Sequence, residues 1–386
     1  MEILKKNICG ITEHLEIIND PRIGSNRRHQ IIDIIALTIC AVIAGNDTWE
    51  EVEEYGIDHE KWLKRFLNLP GGVPSHDTIR RLFIRLDPSQ LEQAFREWIA
   101  SIRPASPQEM IAIDGKTLRR SHDTYHRKTA IHMVSAWSST CSLVLGQLLT
   151  RAKSNEITAI PELLDALEIK GSIITIDAMG CQSSIAKKIC AKKADYVLAV
   201  KDNQKGIHDQ LKWFFADIEL PSDADTGLVE HLSTFDKERG RLERRDFVVS
   251  GEIEWMDKEL LGFPQVKSIG MVKCRRTVGS KTTVDCRYYI SSLEPDAGLF
   301  AKAVRSHWGI ENRVHWVLDM VFREDESRIR MGHSAKNMSV IRRIAMNVIR
   351  RDVGSKKSLK LRRKKAGWSS DYLESLLFAK DIQDSR

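Results

Sequence analysis

Residues Met110 to Ser121 read MIAIDGKTLRRS, and the reading of this stretch decides the fold. Ile111, Ala112 and Ile113 have the composition of a short buried strand, and Gly115 is expected to end it, which places Asp114 at the strand's carboxyl end. Lys116, Arg119 and Arg120 follow at once. One carboxylate among three cations also describes a solvated turn, because exposed charges pair freely with little energetic consequence. The stretch gains meaning from what recurs further along the chain.

Downstream, Ala130–Trp137 and Ser142–Leu149 predict two more strands joined at Ser138–Cys141, so Met110–Leu149 predicts a three-stranded antiparallel meander. A helix over Ile157–Leu167, with Ser154 and Asn155 as candidate caps, leads to Ser172–Gly180, SIITIDAMG. This second strand repeats the grammar of the first: β-branched apolar residues, one aspartate (Asp177), then small residues and glycine. A helix over Ser183–Ala194, a strand over Tyr196–Lys201 and a helix over Lys205–Phe215 continue the alternation. The class is therefore α/β, a mixed sheet with flanking helices.

Residues 216–284 read as a β-rich insertion, with Lys237, Arg239, Arg241, Arg244 and Arg245 placed before its first strand. The next long helix, Leu299–Phe322, carries His307, Glu311, His315 and Asp319 every fourth residue, on one face, and Trp308, Asn312 and Trp316 on the adjacent one. Such a stripe is expensive to bury without a use, although Glu and His at this spacing also pair on a solvated helix. Ser334–Arg351 predicts an amphipathic helix, and Lys356–Lys365, KKSLKLRRKK, holds a run of cations that attracts phosphate in any fold. The closing DYLESLLF reads as a docking helix.

Upstream, Arg27–Gly45 reads as a buried helix and Trp49–Leu67 as an amphipathic one. Ser75 then caps HDTIRRLFIRL, whose Ile79, Leu82, Phe83 and Leu86 share one face and leave Arg80, Arg81 and Arg85 on the other. A turn followed by a basic helix suits a DNA groove, and arginines on a helix also serve solubility alone. A helix over Gln90–Ile102 leads to Pro104 and Pro107, which mark a linker. The domain division expected is 1–105 helical, 106–215 with 285–335 as the core, 216–284 as the insertion, and 336–386 as a basic helical segment.

The bulk properties narrow the classes. A net charge of +7 over 386 residues favours a polyanionic partner. Seven scattered cysteines with no CxxC pair argue against a disulfide scaffold or zinc ribbon and for a reducing compartment. The first residues lack a signal-peptide core, and the longest apolar run, Ile31–Ala44, is interrupted by Asp33. A cytoplasmic protein with no membrane partner is the expectation.

In a ribonuclease H-like sheet the first meander strand and the strand after the first helix lie side by side. That would join Asp114 to Asp177, and the helix after the insertion could present Glu311 to the same spot. Three gathered carboxylates repel and bind protons unless cations neutralise them. Oxygen-only ligands favour Mg²⁺ or Mn²⁺, and two such ions can activate a hydroxyl and stabilise a leaving oxygen in phosphodiester transfer. Lys116, Arg119 and Arg120 would then hold a DNA backbone, and His307 and His315 would support the ligands or contact phosphate.

The sequences IAIDGKTLRRS, KSNEITAIPELL, TIDAMGCQ, YVLAVKDNQ and RSHWGIENRVHWVLDMVFREDESRIR, with PSHDTIRRLF near the start, resemble the DDE-type insertion-sequence transposases, specifically the H-repeat-associated branch. The resemblance covers nearly the whole chain. It implies a ribonuclease H-like catalytic core with a β insertion before the third acid, and Mg²⁺-dependent cutting and joining of double-stranded DNA at element ends by a homodimer, while the basic helix near the start makes the N-terminal helical unit the expected DNA-binding domain. The family's acids fall on Asp114, Asp177 and Glu311, with Asp319, Glu324 and Asp325 as rivals for the third, Asp319 foremost. Where many relatives grip phosphate, this chain has His307 four residues before Glu311 and Leu318 seven after it, so Asn312, Arg313 or His315 are the candidates to substitute. A catalytically silent DNA-binding derivative of such an element is the alternative.

Overall fold

In a computed structural model, residues 8, 10–23, 27–104, 106–122, 129–150, 156–216, 218, 227–238, 240–256 and 262–378 are described. Strand β1 (Met110–Leu118) pairs antiparallel with β2 (Ile131–Ser138) on one side and parallel with β4 (Ile173–Ile176) on the other, and β3 (Leu143–Thr150) pairs with β2. The predicted meander is present.

β1 does not stop at Gly115. Pairing with β2 continues as far as Leu118 opposite Ile131, which gives the residues after the glycine a partner and keeps them extended. The parallel pairing with β4 does stop, at Ile113 opposite Ile176, so Asp114 and Asp177 are the next residues on two neighbouring strands. Gly115 is required for a different reason than chain reversal. A Cβ there would lie 2.5 Å from Glu156 Oε1 and 2.6 Å from His132 Nε2, the two members of a buried pair. Gly115→Ala should therefore overpack the sheet and cost about 1–3 kcal/mol, read as a lower urea midpoint at unchanged m.

Helix α5 (Glu156–Asp165) precedes β4, and α6 (Ser183–Ala191) joins it to β5 (Asp195–Val200), which is parallel to β4. The candidate caps Ser154 and Asn155 lie outside the described residues. After α7 (Lys205–Ala216) come β6 (Glu230–Glu238), β7 (Arg241–Ser250), β8 (Ser268–Val278) and β9 (Lys281–Ser291). β9 pairs antiparallel with β5, so these strands prolong the core sheet to nine, in the order β3-β2-β1-β4-β5-β9-β8-β7-β6. The first five positions give the ribonuclease H-like arrangement expected. Lys237, Arg241, Arg244 and Arg245 lie within β6 and β7 and not before the first strand, because β6 (EHLSTFDKE) is a polar hairpin arm with no apolar run to mark it. Arg239 lies outside the described residues.

The N-terminal unit is helical: α1 (Ile31–Ala44), α2 (Trp49–Asp58), α3 (His76–Arg85) and α4 (Pro88–Ile102). Thr48 and Glu51 form a capping box at the start of α2, and Ser75 caps α3 as predicted. Helix α4 starts two residues earlier than Gln90, because Asp87 caps it and Pro88 is preorganised for the first turn. The expected Trp49–Leu67 helix breaks at His59 and resumes for one turn.

After β9, the chain forms α8 (Ala297–Ile310), a π turn (Glu311–His315), α9 (Trp316–Met320), α10 (Ser334–Arg350), α11 (Leu359–Trp368) and α12 (Ser370–Leu377). Helix α10 is buried on all sides, not on one face, because it runs between the N-terminal helices and β3. Its polar residues are consumed there: Asn337 Nδ2 donates to the carbonyls of Phe83 and Leu86, and Asn347 bonds both backbone groups of Val144 on the edge strand. Helix α12 docks on the N-terminal unit through Glu374, 2.9 Å from Arg65, and Phe378 meets Phe66 edge-on just beyond it. Among the described residues no single helix is long and apolar enough to cross a membrane.

Candidate active site

Asp177 leaves the end of β4 and accepts the N–H groups of Met179 (3.1 Å) and Gly180 (3.3 Å), which fixes its carboxylate at the head of a short turn. Asp114 is held from the far side: His315 Nε2 lies 3.2 Å from its Oδ2. His307 is half-buried behind both aspartates, with its Nδ1 3.2 Å from Thr175 Oγ1.

The π turn makes this possible. Helix α8, started by the Asp296 side chain on Leu299 N–H, packs across β1 and β4, and at Glu311 the backbone bonding widens so that Trp316 N–H reaches the Glu311 carbonyl. The extra residue changes the register, so the expected stripe of four does not persist: His307 and His315 turn to the aspartates while Asp319 turns to Lys116. Glu311 is exposed.

A cavity of about 220 Å³ is lined by Asp114, Asp177 and Glu311 together with His307, Lys201 and Arg287. A neighbouring cavity of about 450 Å³ shares Glu311, Trp308 and Arg287 with it and adds Asn312, Arg241 and Arg276. The guanidinium groups of Arg245 and Arg287 lie 5.2 and 5.3 Å from the centre of the Trp308 ring. An acidic pocket thus opens beside a basic groove.

The two aspartates are driven apart electrostatically. Burial, then the charge of Asp114, pushes the Asp177 carboxyl above its ordinary value. Burial acts the same way on Asp114, but the hydrogen bond and charge of His315, with the Gly115 N–H, outweigh it and hold the carboxyl low. Burial lowers the pKa of His307 and favours the neutral ring. A divalent cation would relieve the strain on Asp177 directly.

The donor set fits a hard cation in chemistry: three carboxylates on one small pocket. Among the described residues no three His, Cys, Asp or Glu side chains converge tightly enough to form a complete ligand cluster. Asp114 and Asp177 would hold such an ion, with Glu311 the remaining carboxylate on the wall.

Several expected roles change. Lys116 is 8% exposed and pairs with Asp319, with Glu324 at 3.0 Å and with Asp325 at 3.8 Å, so it cannot grip a DNA backbone. It points inward because β1 continues past Gly115 and keeps Lys116 within the sheet. The same pairing removes Asp319 and Glu324 from the acid pocket. His315 sits against the Asp114 carboxylate, the supporting position expected, and His307 lines the acid pocket itself. Arg119 and Arg120 are exposed, Arg119 lying 3.4 Å from Asp325. On α3, Arg81 and Arg85 are exposed, whereas Arg80 is tied to Asp77 at 2.8 Å. Asn312 is exposed on the rim of the basic groove. Sequence reasoning missed Lys201 and Arg287. Lys201 closes YVLAVK on the strand beside Asp177, and that adjacency was the available signal.

Comparison with known proteins agrees with this architecture. A DDE_Tnp_1-associated family matches residues 12–99, and the family described as Transposase DDE domain matches residues 105–348. The chain is 42% identical over 379 residues to the protein named "Putative transposase YncI" of Escherichia coli O157:H7, covering 96% of this chain and 95% of that protein. It is 40% identical over 375 residues to the "H repeat-associated putative transposase YhhI" of Escherichia coli (strain K12), covering 95% and 97%. A shorter relative from the same strain, "Inactive transposase YbfQ", is 42% identical over 72 residues, 19% of this chain and 86% of its own. A piggyBac transposase synaptic complex with hairpin DNA aligns at TM-score 0.40 and 13% identity over all of this chain and 81% of that one, a likeness too distant to carry any argument.

Proposed function

We propose, for a chain that belongs to the Transposase DDE domain family and to its H repeat-associated branch, that Asp114, Asp177 and Glu311 cut and join DNA strands at the ends of an insertion element. The observation that supports this most is the register of β1 and β4, which seats two aspartates side by side at the point where parallel pairing stops, with Glu311 on the same pocket. Two Mg²⁺ or Mn²⁺ ions, when bound, would supply Lewis-acid polarisation of the phosphate and a lowered pKa for the attacking water or hydroxyl.

The chain's own groups do the rest. Backbone N–H groups orient Asp177, and His315 orients Asp114 and keeps it ionised. The partner is double-stranded DNA, both element end and target. Arg241, Arg276 and Arg287 in the groove, with Asn312, lie where a strand leaving the acid pocket would run, and Arg119, Arg120, Arg81 and Arg85 are exposed for phosphate contact elsewhere. We place the activity in the cytoplasm, in keeping with the six described cysteines being free thiols, and in a homodimer that holds paired ends.

The test is incubation of the full chain with DNA carrying its own element ends and Mg²⁺, where nicking at the ends is the expected result. End-specific binding without nicking at any divalent-ion concentration would instead support a catalytically silent DNA-binding protein. That reading has one observation in its favour, the incomplete closure of the three carboxylates.

His315 provides a finer check. His315→Gln should lower cleavage by roughly 10–100-fold with little change in DNA affinity. Because His315 holds the Asp114 carboxyl low, its loss should also move the acid limb of the pH–rate profile upward. A purely structural residue would not move that limb.

A further inference from the structure

A larger cavity, about 900 Å³, shares no lining residue with the acid pocket or the basic groove. It lies between the α1–α2 connection, the segment after α9, the buried helix α10 and one face of α11. Met320 lines it and Glu311 lines the acid pocket, so the two sites are separated by roughly 13 Å along the helix axis.

Its chemistry is basic and aromatic. Lys360, Lys364 and Trp368 stand four residues apart on α11 and all line the cavity; all three are exposed, Trp368 by 73%. Neither lysine has an ion-pair partner among the described residues. Of the four acids on the lining, Asp47 pairs with Arg363 and Glu326 with Arg323, each at 2.6 Å, Glu51 accepts the N–H groups of Asp47 and Thr48, and with Glu50 they are outnumbered by the arginines and lysines of the same wall. Helix α11 is pressed against the end of α1, since a Cβ on Gly367 would lie 2.4 Å from the Ala44 carbonyl oxygen.

The inner wall carries the more telling feature. Arg342 is 2% exposed and lines the cavity, yet its Nε and Nη2 have no hydrogen-bond partner among the described residues, and Ser334 Oγ, 1% exposed, is also unpartnered. Unsatisfied buried donors on a guanidinium are costly, and an anion in the cavity would satisfy them. The volume suits a nucleotide better than a lone phosphate. An exposed indole in line with ammonium groups is the combination by which proteins hold single-stranded nucleic acid, bases stacking and phosphates meeting cations.

We propose that this cavity binds a single-stranded DNA segment, one phosphate meeting Arg342, Lys360 and Lys364 and the adjoining base stacking on Trp368. The proposal rests on the DNA-processing reading above and adds a second, non-catalytic strand site to it.

The test uses the full chain, a labelled short oligothymidylate and no divalent ion, titrated at several salt concentrations. The double variant Lys360→Glu, Lys364→Glu should bind about tenfold more weakly, and its log K against log salt should be shallower by about 0.7, the share of one phosphate. Trp368→Leu should bind at least roughly fivefold more weakly and lose the fluorescence quenching that accompanies binding. Arg342→Met, if folded by circular dichroism, should match the lysine variant. Unchanged affinity and slope in the lysine and tryptophan variants would overturn the proposal, and equal losses on a duplex of the same length would overturn its single-strand assignment. No cleavage is read, so a negative result here leaves the acid pocket untouched.

Discussion

Replacing Asp177 by asparagine is expected to reduce DNA strand cleavage by at least about 10³-fold, a loss on the scale seen when a preorganised electrostatic group is removed from a reacting centre. Asparagine keeps an oxygen for the Met179 and Gly180 N–H groups, so the turn after β4 and the fold should survive. What it removes is the negative charge, on the aspartate whose pKa burial and Asp114 already raise. The variant should therefore bind end DNA and unfold at the same urea concentration as wild type while failing to nick. Glu311→Gln should fall with it. Asp319→Asn should stay within about tenfold of wild type, because Asp319 pairs with Lys116 and does not line the pocket. Equal cleavage by wild type and Asp177→Asn would remove the proposed site, and a larger loss at Asp319 than at Glu311 would reassign the third acid.

Replacing Glu324 by glutamine is expected to cost about 3–5 kcal/mol of stability, the range for breaking a buried charge network by deleting one partner. Glu324 is 3% exposed; its Oε1 accepts from Arg343 and Ser339 Oγ and its Oε2 lies 3.0 Å from Lys116. The residue ties β1 to α10, and so the sheet that carries Asp114 to the helix that carries the N-terminal unit. Without its charge, Arg343, which is fully buried, and Lys116 would be left without their shared counter-ion. Burial opposes ionisation of Glu324, but Arg343, Lys116 and Arg342 outweigh it and hold the carboxyl well below the usual glutamate range. The folded value is depressed, so the contribution is complete above the ordinary value near 4.5 and is lost as the pH falls below it toward the folded value. Urea unfolding at pH 7 and pH 4 checks both parts. Wild type should lose stability across that interval by more than Glu324→Gln does, and a variant as stable as wild type at pH 7 would contradict the network's role.

Much of the site was legible because it rests on strand ends. Two apolar runs, each delivering one aspartate, sufficed to foresee that Asp114 and Asp177 meet, since parallel strands in one sheet align their exits. The continuation of β1 through Gly115 was not legible, because the glycine answers to the distant pair His132–Glu156 and not to a turn. The fate of Lys116 followed from that same misreading. The π turn left no trace in the spacing of His307, Glu311 and His315, which satisfies an ordinary helix equally well. Helix α10 looked amphipathic because Asn337, Arg342, Arg343 and Asn347 are polar, yet each is polar toward a buried neighbour or a cavity and not toward solvent. Strand β6 was invisible because a solvated hairpin arm needs no apolar face to pair.

The central claim is that Asp114, Asp177 and Glu311 form a divalent-cation site, and titration of Mn²⁺ into the full chain, followed by electron paramagnetic resonance, tests it without requiring turnover. The account predicts saturable binding that weakens as the pH falls into the carboxylate range and is lost in the double variant Asp114→Asn, Asp177→Asn. Binding of equal strength and stoichiometry in the wild type and the double variant would contradict it.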